Sequence, residues 1–337
     1  MRYDEYAGKL EDFWGRRATK PRFRRDFRLY GHPVQLLSNE EGVLTAVDHT
    51  RPLYSTVPDS DHSPFTIQIT VQPARVPPGP APDDLMQRIL YSGDGDWLML
   101  HLGGWGHAHV DLAQFRATAV LVPELAQRPD LVSQCLLNTI LLNFCIASGF
   151  GMLHASCLVQ NGRALLLLAP HNSGKSTTAL RLALAGWRLL SDSMVFTLPG
   201  TDKLVGFPVG KIKLRRDMVA QFPPLQPLLA AEAVRDETKF SLDLRRVDET
   251  LVQTTAVAPA RIDLCLLARH NRAETLLKPA DETAVWEAVM MNSLYYDQAA
   301  VWRRNLAQLE PVIGRARAYH LTIGVESERV IKAIQTL

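Results

Sequence analysis

A chain of 337 residues with 47% apolar content is long enough for more than one core, and two domains are expected. Its 37 basic and 35 acidic side chains leave a formal charge of +2, which excludes a global field that would draw the whole molecule onto nucleic acid or an anionic membrane. Cys135, Cys145, Cys157 and Cys265 have neither CxxC spacing nor the density of a disulfide scaffold, so reduced, buried thiols in a cytoplasmic protein are expected.

In chain order, Met1 to Trp14 is charged and polar where a secretory signal would be apolar. Arg16, Arg17, Lys20, Arg22, Arg24, Arg25 and Arg28 follow, with Phe23 and Phe27 between them. This run predicts a solvated arm. Nucleic-acid contact is the alternative, but no recognised binding module surrounds the run and no nucleic-acid partner is expected. Phe65, Ile67, Ile69 and Val71 alternate with polar neighbours, the period of a half-buried strand. Pro73 to Pro82 holds five prolines and reads as a surface loop.

Trp97 to Gly106 predicts a strand, a tight turn and another strand. His101, His107 and His109 cluster there without an obvious fourth ligand, so they read as surface or edge-strand residues rather than a metal site. From Arg128 to Ser148 the spacing of Leu131, Leu136, Leu137, Ile140, Leu141 and Phe144 predicts a long buried helix ended by Gly149 and Gly151. Its apolar stretch, Leu136 to Phe150, is broken by Asn138 and Asn143 and falls short of a bilayer span, so no membrane partner is expected.

The chemistry follows that helix. Cys157 to Gln160 and Ala164 to Leu168 are strand-like runs joined through Asn161-Gly162, a hairpin turn pair. The second strand feeds APHNSGKSTT, and a helix-forming stretch comes next. Strand, loop and helix in that order suit a phosphate-binding loop, because consecutive N–H groups and the positive helix end face one concavity. Pro170, His171, Asn172, Ser173, Gly174, Lys175, Ser176 and Thr177 are the expected nucleotide contacts. Lys175 reaches β- and γ-phosphate oxygens and Ser176 completes a Mg²⁺ shell. The first position of GxxxxGK[ST] is Ala169, not glycine. The bland reading of the same residues is a helix cap by Ser173 and Ser176. Leu189 to Phe196 reads as one further strand carrying Asp192 beside the loop, where an acid can hold Mg²⁺ or accept a proton.

Leu153-His154-Ala155-Ser156 and the stretch from Asn161 to Phe196 resemble the catalytic domain of HPr kinase/phosphorylase and its relatives, among them kinases that tailor ribosomal peptides such as lasso peptides. A looser resemblance takes in Gly206-Phe207-Pro208 to Leu214, a basic loop around Arg235 and Lys239, and Tyr319 to Leu337. The resemblance implies an α/β fold: a C-terminal P-loop kinase domain of the HPr kinase and phosphoenolpyruvate carboxykinase type, with a mixed sheet, plus an N-terminal α/β domain. The expected division is 1–127 for the N-terminal domain, presenting substrate or an oligomer contact, 128–150 for a connecting buried helix, and 151–337 for the nucleotide-binding domain.

By resemblance, His154, Lys175 and Asp192 are catalytic, with His154 near the transferred phosphate, and Ser176 and Asp192 serve the metal. The family's second aspartate is Ser193 here. One carboxylate must then do the work of two, or Asp217, Asp236 or Glu237 is recruited. ATP and Mg²⁺ are the implied cofactors, and the acceptor is a hydroxyl of a protein, peptide or small molecule. The alternative is a nucleotide-binding regulatory or chaperone-like protein with impaired phosphotransfer. Homo-oligomer assembly stays open.

Lys211, Lys213, Arg215 and Arg216, and then Arg235, Lys239, Arg245 and Arg246, form basic clusters that could neutralise a phosphoryl group in transfer, or could simply be solvated. Phe222 to Glu237 suits a mobile lid. Ile262 to Leu267 reads as a buried strand. Asp281 to Gln308 reads as helical, with Trp286, Met290, Met291, Leu294 and Tyr295 in the core.

Overall fold

The computed structural model describes residues 20–58, 63–170, 173–226, 228, 239–293 and 299–337. The chain divides into two compact units, Met1–Arg51 with Ser60–Phe144 and Pro52–Asp59 with Cys145–Leu337. Both are mixtures of helix and strand, and both contain mixed parallel and antiparallel sheet.

Among its described residues the first unit has seven strands: β1 (Phe23–Leu29), β2 (His32–Ser38), β3 (Phe65–Val71), β4 (Leu90–Asp94), β5 (Trp97–His101), β6 (Gly106–Asp111) and β7 (Arg116–Leu121). They lie in the order β1-β2-β3-β7-β6-β5-β4. β2, β3 and β7 run parallel to one another and the other pairs are antiparallel. Alternation drives the sheet's burial: Phe65, Ile67 and Ile69 are buried while Thr66 and Gln68 are half-buried. The chain is helical from Pro129 to Ala147, with a π-helical segment at Val132–Leu137. By length and composition this stretch could cross a bilayer, but most of it is buried inside the protein. Phe144 on this helix packs against Phe65, with ring centroids 5.1 Å apart.

The arginine run is not a solvated arm over its described part. It forms β1, where Phe27 is buried, Arg24 pairs with Asp26 at 2.8 Å, and Arg25 donates to Asp48 at 2.9 Å. Neighbouring carboxylates take up those charges, and sheet pairing fixes the backbone. Arg16 and Arg17 lie outside the described residues. On β5 and β6, His101 stands opposite His107, and the rings of His107 and His109 are 5.7 Å apart. Among the described residues no group of three or more His, Cys, Asp or Glu side chains could hold a metal ion. All four cysteines are buried and free, and burial pushes the thiols of Cys135, Cys157 and Cys265 up to about 12.

The second unit contains β8 (Gly151–His154), β9 (Ser156–Gln160), β10 (Arg163–Leu168), β11 (Arg188–Ser191), β12 (Met194–Thr197), β13 (Leu204–Phe207), β14 (Lys211–Arg215), β15 (Lys239–Asp243), β16 (Arg261–Arg269), β17 (Leu276–Pro279) and β18 (Arg317–Ile323). A six-stranded sheet runs β11-β9-β10-β16-β18-β17, with β10, β16 and β18 parallel. β13-β12-β8 form an antiparallel three-stranded sheet, and β14 pairs with β15. The β9–β10 hairpin turns through Asn161 and Gly162, both at positive φ (50° and 74°), as a tight hairpin turn of this hand requires.

Strand alternation divides the core of this unit into two layers. Leu165, Leu167, Cys265 and Leu267 join the helices Lys175–Leu184 and Ser327–Gln335 on one face of the sheet. Ala164, Leu166, Leu168 and Leu264 join Glu282–Asn292 and Ala299–Ile313 on the other. Three segments differ from what their sequence predicts. Leu189 to Phe196 is two strands, β11 and β12, that belong to different sheets and break at Asp192 and Ser193. Phe222 and Leu225, at the start of the supposed lid, are buried in the core, and 229–237 lie outside the described residues. Met290 and Met291 are exposed rather than packed inside, while Leu294 and Tyr295 are not among the described residues.

Candidate active site

The parallel strands β10, β16 and β18 end on one edge of the sheet, the edge at which open α/β sheets leave a ligand crevice. β10 delivers the chain there. Ala169, which departs from the usual glycine, is buried, and it belongs to the same apolar cluster as Leu180 and Leu182. Pro170 is exposed, and its carbonyl accepts the Ser173 N–H at 3.3 Å. His171 and Asn172 lie outside the described residues.

Gly174 ends the loop at φ 92° and is the N-cap of the helix Lys175–Leu184. Only glycine suits this point. The backbone is left-handed, and a Cβ would lie 3.2 Å from Ile323 Cδ1 and 3.3 Å from Arg269 Cδ. A glycine cap leaves first-turn N–H groups without a side-chain acceptor. No side-chain cap bond forms at Gly174, so the capping alternative finds no support at the helix start, and the Ser176 side chain comes close enough to Asp192 to lower its carboxyl.

Asp192 occupies the point where the chain passes from β11 in one sheet to β12 in the other. β8 and β9 make the same passage at Ala155, alongside it. Asp192 is 7% exposed. Ser156 Oγ donates to its Oδ1 at 2.6 Å, and the Lys213 N–H reaches Oδ2 at 3.4 Å. Burial holds the Asp192 carboxyl above its ordinary range, opposed by the hydrogen bonds of Ser156 and Ser176, the charge of Lys175 and the Lys213 N–H. Burial also lowers the Lys175 ammonium to about 8, opposed by the Asp192 charge. For both groups desolvation outweighs their mutual attraction.

The structure brings Lys175, Ser176 and Asp192 together. His154 ends β8 in register with Met194, two residues beyond Asp192, and is exposed. Asn305 fixes that strand by pairing with both backbone groups of Met152, at 2.6 and 3.0 Å. Thr177 is half-buried one residue past Ser176. Ser193 supplies no acid, and its N–H is tied to Ser191 Oγ at 3.2 Å. Asp217 is exposed and paired with Arg215 at 2.8 Å. Asp236, Glu237 and Arg235 lie outside the described residues. Of the basic clusters, Arg245 is held by Asp243 at 2.6 Å and Arg216 lies over the Phe240 ring at 4.9 Å, so neither is a freely placed cation.

Four residues escaped the sequence reading. Ser156 is fully buried in an apolar strand, and a hydroxyl in such a setting signals a partner elsewhere in the fold. Thr178, Arg181 and Arg269 line a cleft together with Gly174 and Thr177. The signal for Arg181 was a lone cation in the apolar run from Ala179 to Leu184.

No family model matches the chain, and no curated protein matches it in sequence. Among solved structures, the HPr(Ser) kinase/phosphatase from Coxiella burnetii is similar over 55% of this chain and 92% of its own, at 15% identity and a TM-score of 0.30.

A hydroxyl and a carboxylate, both hard oxygen donors, suit a magnesium ion that takes its remaining ligands from phosphate and water. Ser176 and Asp192 fit that requirement.

Proposed function

We propose that residues 145–337 form an ATP- and magnesium-dependent kinase domain that transfers the γ-phosphate to a hydroxyl of a protein, a peptide or a small molecule. The observation that carries this reading is the buried Asp192 carboxylate, hydrogen-bonded by the Ser156 hydroxyl and set beside Ser176 and Lys175 at the start of a helix capped by Gly174. First-turn N–H groups and a desolvated ammonium make a seat for a polyanion. In this reading Lys175 orients the β- and γ-phosphates. Ser176 and Asp192 would hold magnesium, which would neutralise charge on the phosphate oxygens.

Oδ1 takes the Ser156 hydrogen bond and Oδ2 the long Lys213 contact, and in this reading Oδ2 orients the acceptor hydroxyl and takes its proton. A carboxyl held above its usual range is a better proton acceptor than an exposed one. His154, at the exposed end of β8, contacts the transferred phosphate. Buried thiols suit a reducing, cytoplasmic setting. The test is magnesium-dependent ATP binding followed by ADP release, in the parent and in Lys175→Ala. Binding and turnover in the parent, both lost in the variant, are expected. Normal turnover by Lys175→Ala contradicts the reading.

One observation favours a second reading, a nucleotide-binding regulator with impaired transfer. Among the described residues, Lys175 is the one charged group that acts on Asp192, and Ser193 stands where a second acid would be. Binding without ADP release in the parent, with release appearing in Ser193→Asp, selects this reading.

A further inference from the structure

The two sides of the loop helix differ in chemistry. Lys175 and Ser176 meet the Asp192 carboxylate on one side. Thr177, Thr178 and Arg181 line a cleft with Arg269 on the other. Thr177 and Thr178 stand four and three residues before Arg181, the spacing that puts side chains on one helix face. Arg269 ends β16 on the same side of the sheet as Cys265 and Leu267, and its side chain lies against Gly174.

Neither arginine has a carboxylate partner among the described residues. Arg181 donates to the Gln221 side-chain oxygen at 2.5 Å, and the nearby Asp217 is already paired with Arg215. Burial and then repulsion from Arg269 hold the Arg181 guanidinium below its ordinary value, and Asp217, which feels the Arg269 charge, is itself paired with Arg215. Independently of the helix end, Thr178 is fully buried and lines this cleft, and its hydroxyl has no hydrogen-bond partner among the described residues. Met218 and Ile323 add apolar surface to the same lining.

We infer that Arg181 and Arg269 hold the nucleoside-bearing end of the nucleotide, at its α-phosphate and ribose. This rests on the phosphate-loop reading above. A triphosphate with its γ end at Lys175 and Asp192 has its α end over Thr177, because the chain of phosphates follows the first turn of the helix. The arginines then meet the α-phosphate with charge-assisted hydrogen bonds. Their planar faces and the apolar side chains cover the sugar and base. The acidic side determines transfer, and the arginine side selects a nucleotide over a bare polyphosphate.

The test is calorimetric binding of magnesium-ATP and of magnesium-pyrophosphate to the full chain, to Arg181→Gln and Arg269→Gln singly and combined, and to Lys175→Ala. Both arginines reach the surface and neither sits in the core, so the variants are expected to fold. The parent should bind ATP more tightly than pyrophosphate. The double variant should lose about tenfold or more in ATP affinity and keep its pyrophosphate affinity, whereas Lys175→Ala should lose both. Equal loss for the two ligands, or no loss for ATP, overturns this inference and leaves the phosphate-loop reading intact. Failure of the parent to bind either ligand overturns the phosphate-loop reading and this inference together.

Discussion

The Ser156 hydroxyl donates to Asp192 Oδ1 at 2.6 Å, joining the two points, 36 residues apart in sequence, where the chain crosses from one sheet to the other. Its removal leaves a buried carboxylate short of a donor. Ser156→Ala is therefore expected to cost about 1–3 kcal/mol of stability, the penalty for a buried hydrogen bond to a charged group. In the proposed mechanism it also lowers turnover more than ATP affinity, because it frees the carboxylate that orients the acceptor. Urea denaturation and ADP release check the two effects.

Gly174→Ala tests the shape of the loop. A left-handed backbone costs a non-glycine residue roughly 1–2 kcal/mol, and the new methyl would press on Ile323 and Arg269 at 3.2 and 3.3 Å. Reduced thermal stability together with loss of nucleotide binding is the expected outcome. Unchanged binding would mean that the helix N-terminus does not receive the phosphates.

Thr178→Val replaces a fully buried hydroxyl that lacks a partner with a methyl of the same shape. Because an unsatisfied buried polar group is destabilising, the free protein should gain about 1 kcal/mol. A loss of that size in the absence of ligand would mean that the hydroxyl has a partner in solution.

Local chemistry made much of the second unit legible. Asn161-Gly162 fixed a hairpin because both residues tolerate positive φ, and GKST followed by an apolar helix marked the loop. What was not legible depends on chain crossings. LLSDSMVF reads as one apolar strand, and nothing in its period tells that β11 and β12 part at Asp192 into separate sheets. Ser156 and Asp192, or Arg181 and Arg269, meet only through packing between distant segments. The arginine run looked like an arm because its carboxylate partner Asp48 lies beyond the strand itself.

In the first unit, burial and then repulsion from neighbouring histidines hold the His107 and His109 imidazoles below their ordinary value. A folded-state value below the unfolded one means that the unfolded chain binds more protons. Stability of this unit should therefore fall as pH drops through about 6.5, the unperturbed histidine value. His107→Gln with His109→Gln should flatten that dependence, as read from melting temperatures across the range. A dependence unchanged in the double variant would place its origin elsewhere.

The buried Asp192 carboxylate is proposed to serve phosphoryl transfer at a nucleotide site. The most direct measurement is magnesium-dependent ADP formation by the parent and by Asp192→Asn, with folding of the variant verified by its melting curve. Asparagine can still accept the Ser156 hydrogen bond but cannot take a proton or supply a metal-binding charge. A fall of about 10²–10⁴-fold in a folded variant is predicted, the range for loss of a positioned general base. A folded Asp192→Asn protein that forms ADP as fast as the parent would contradict the account.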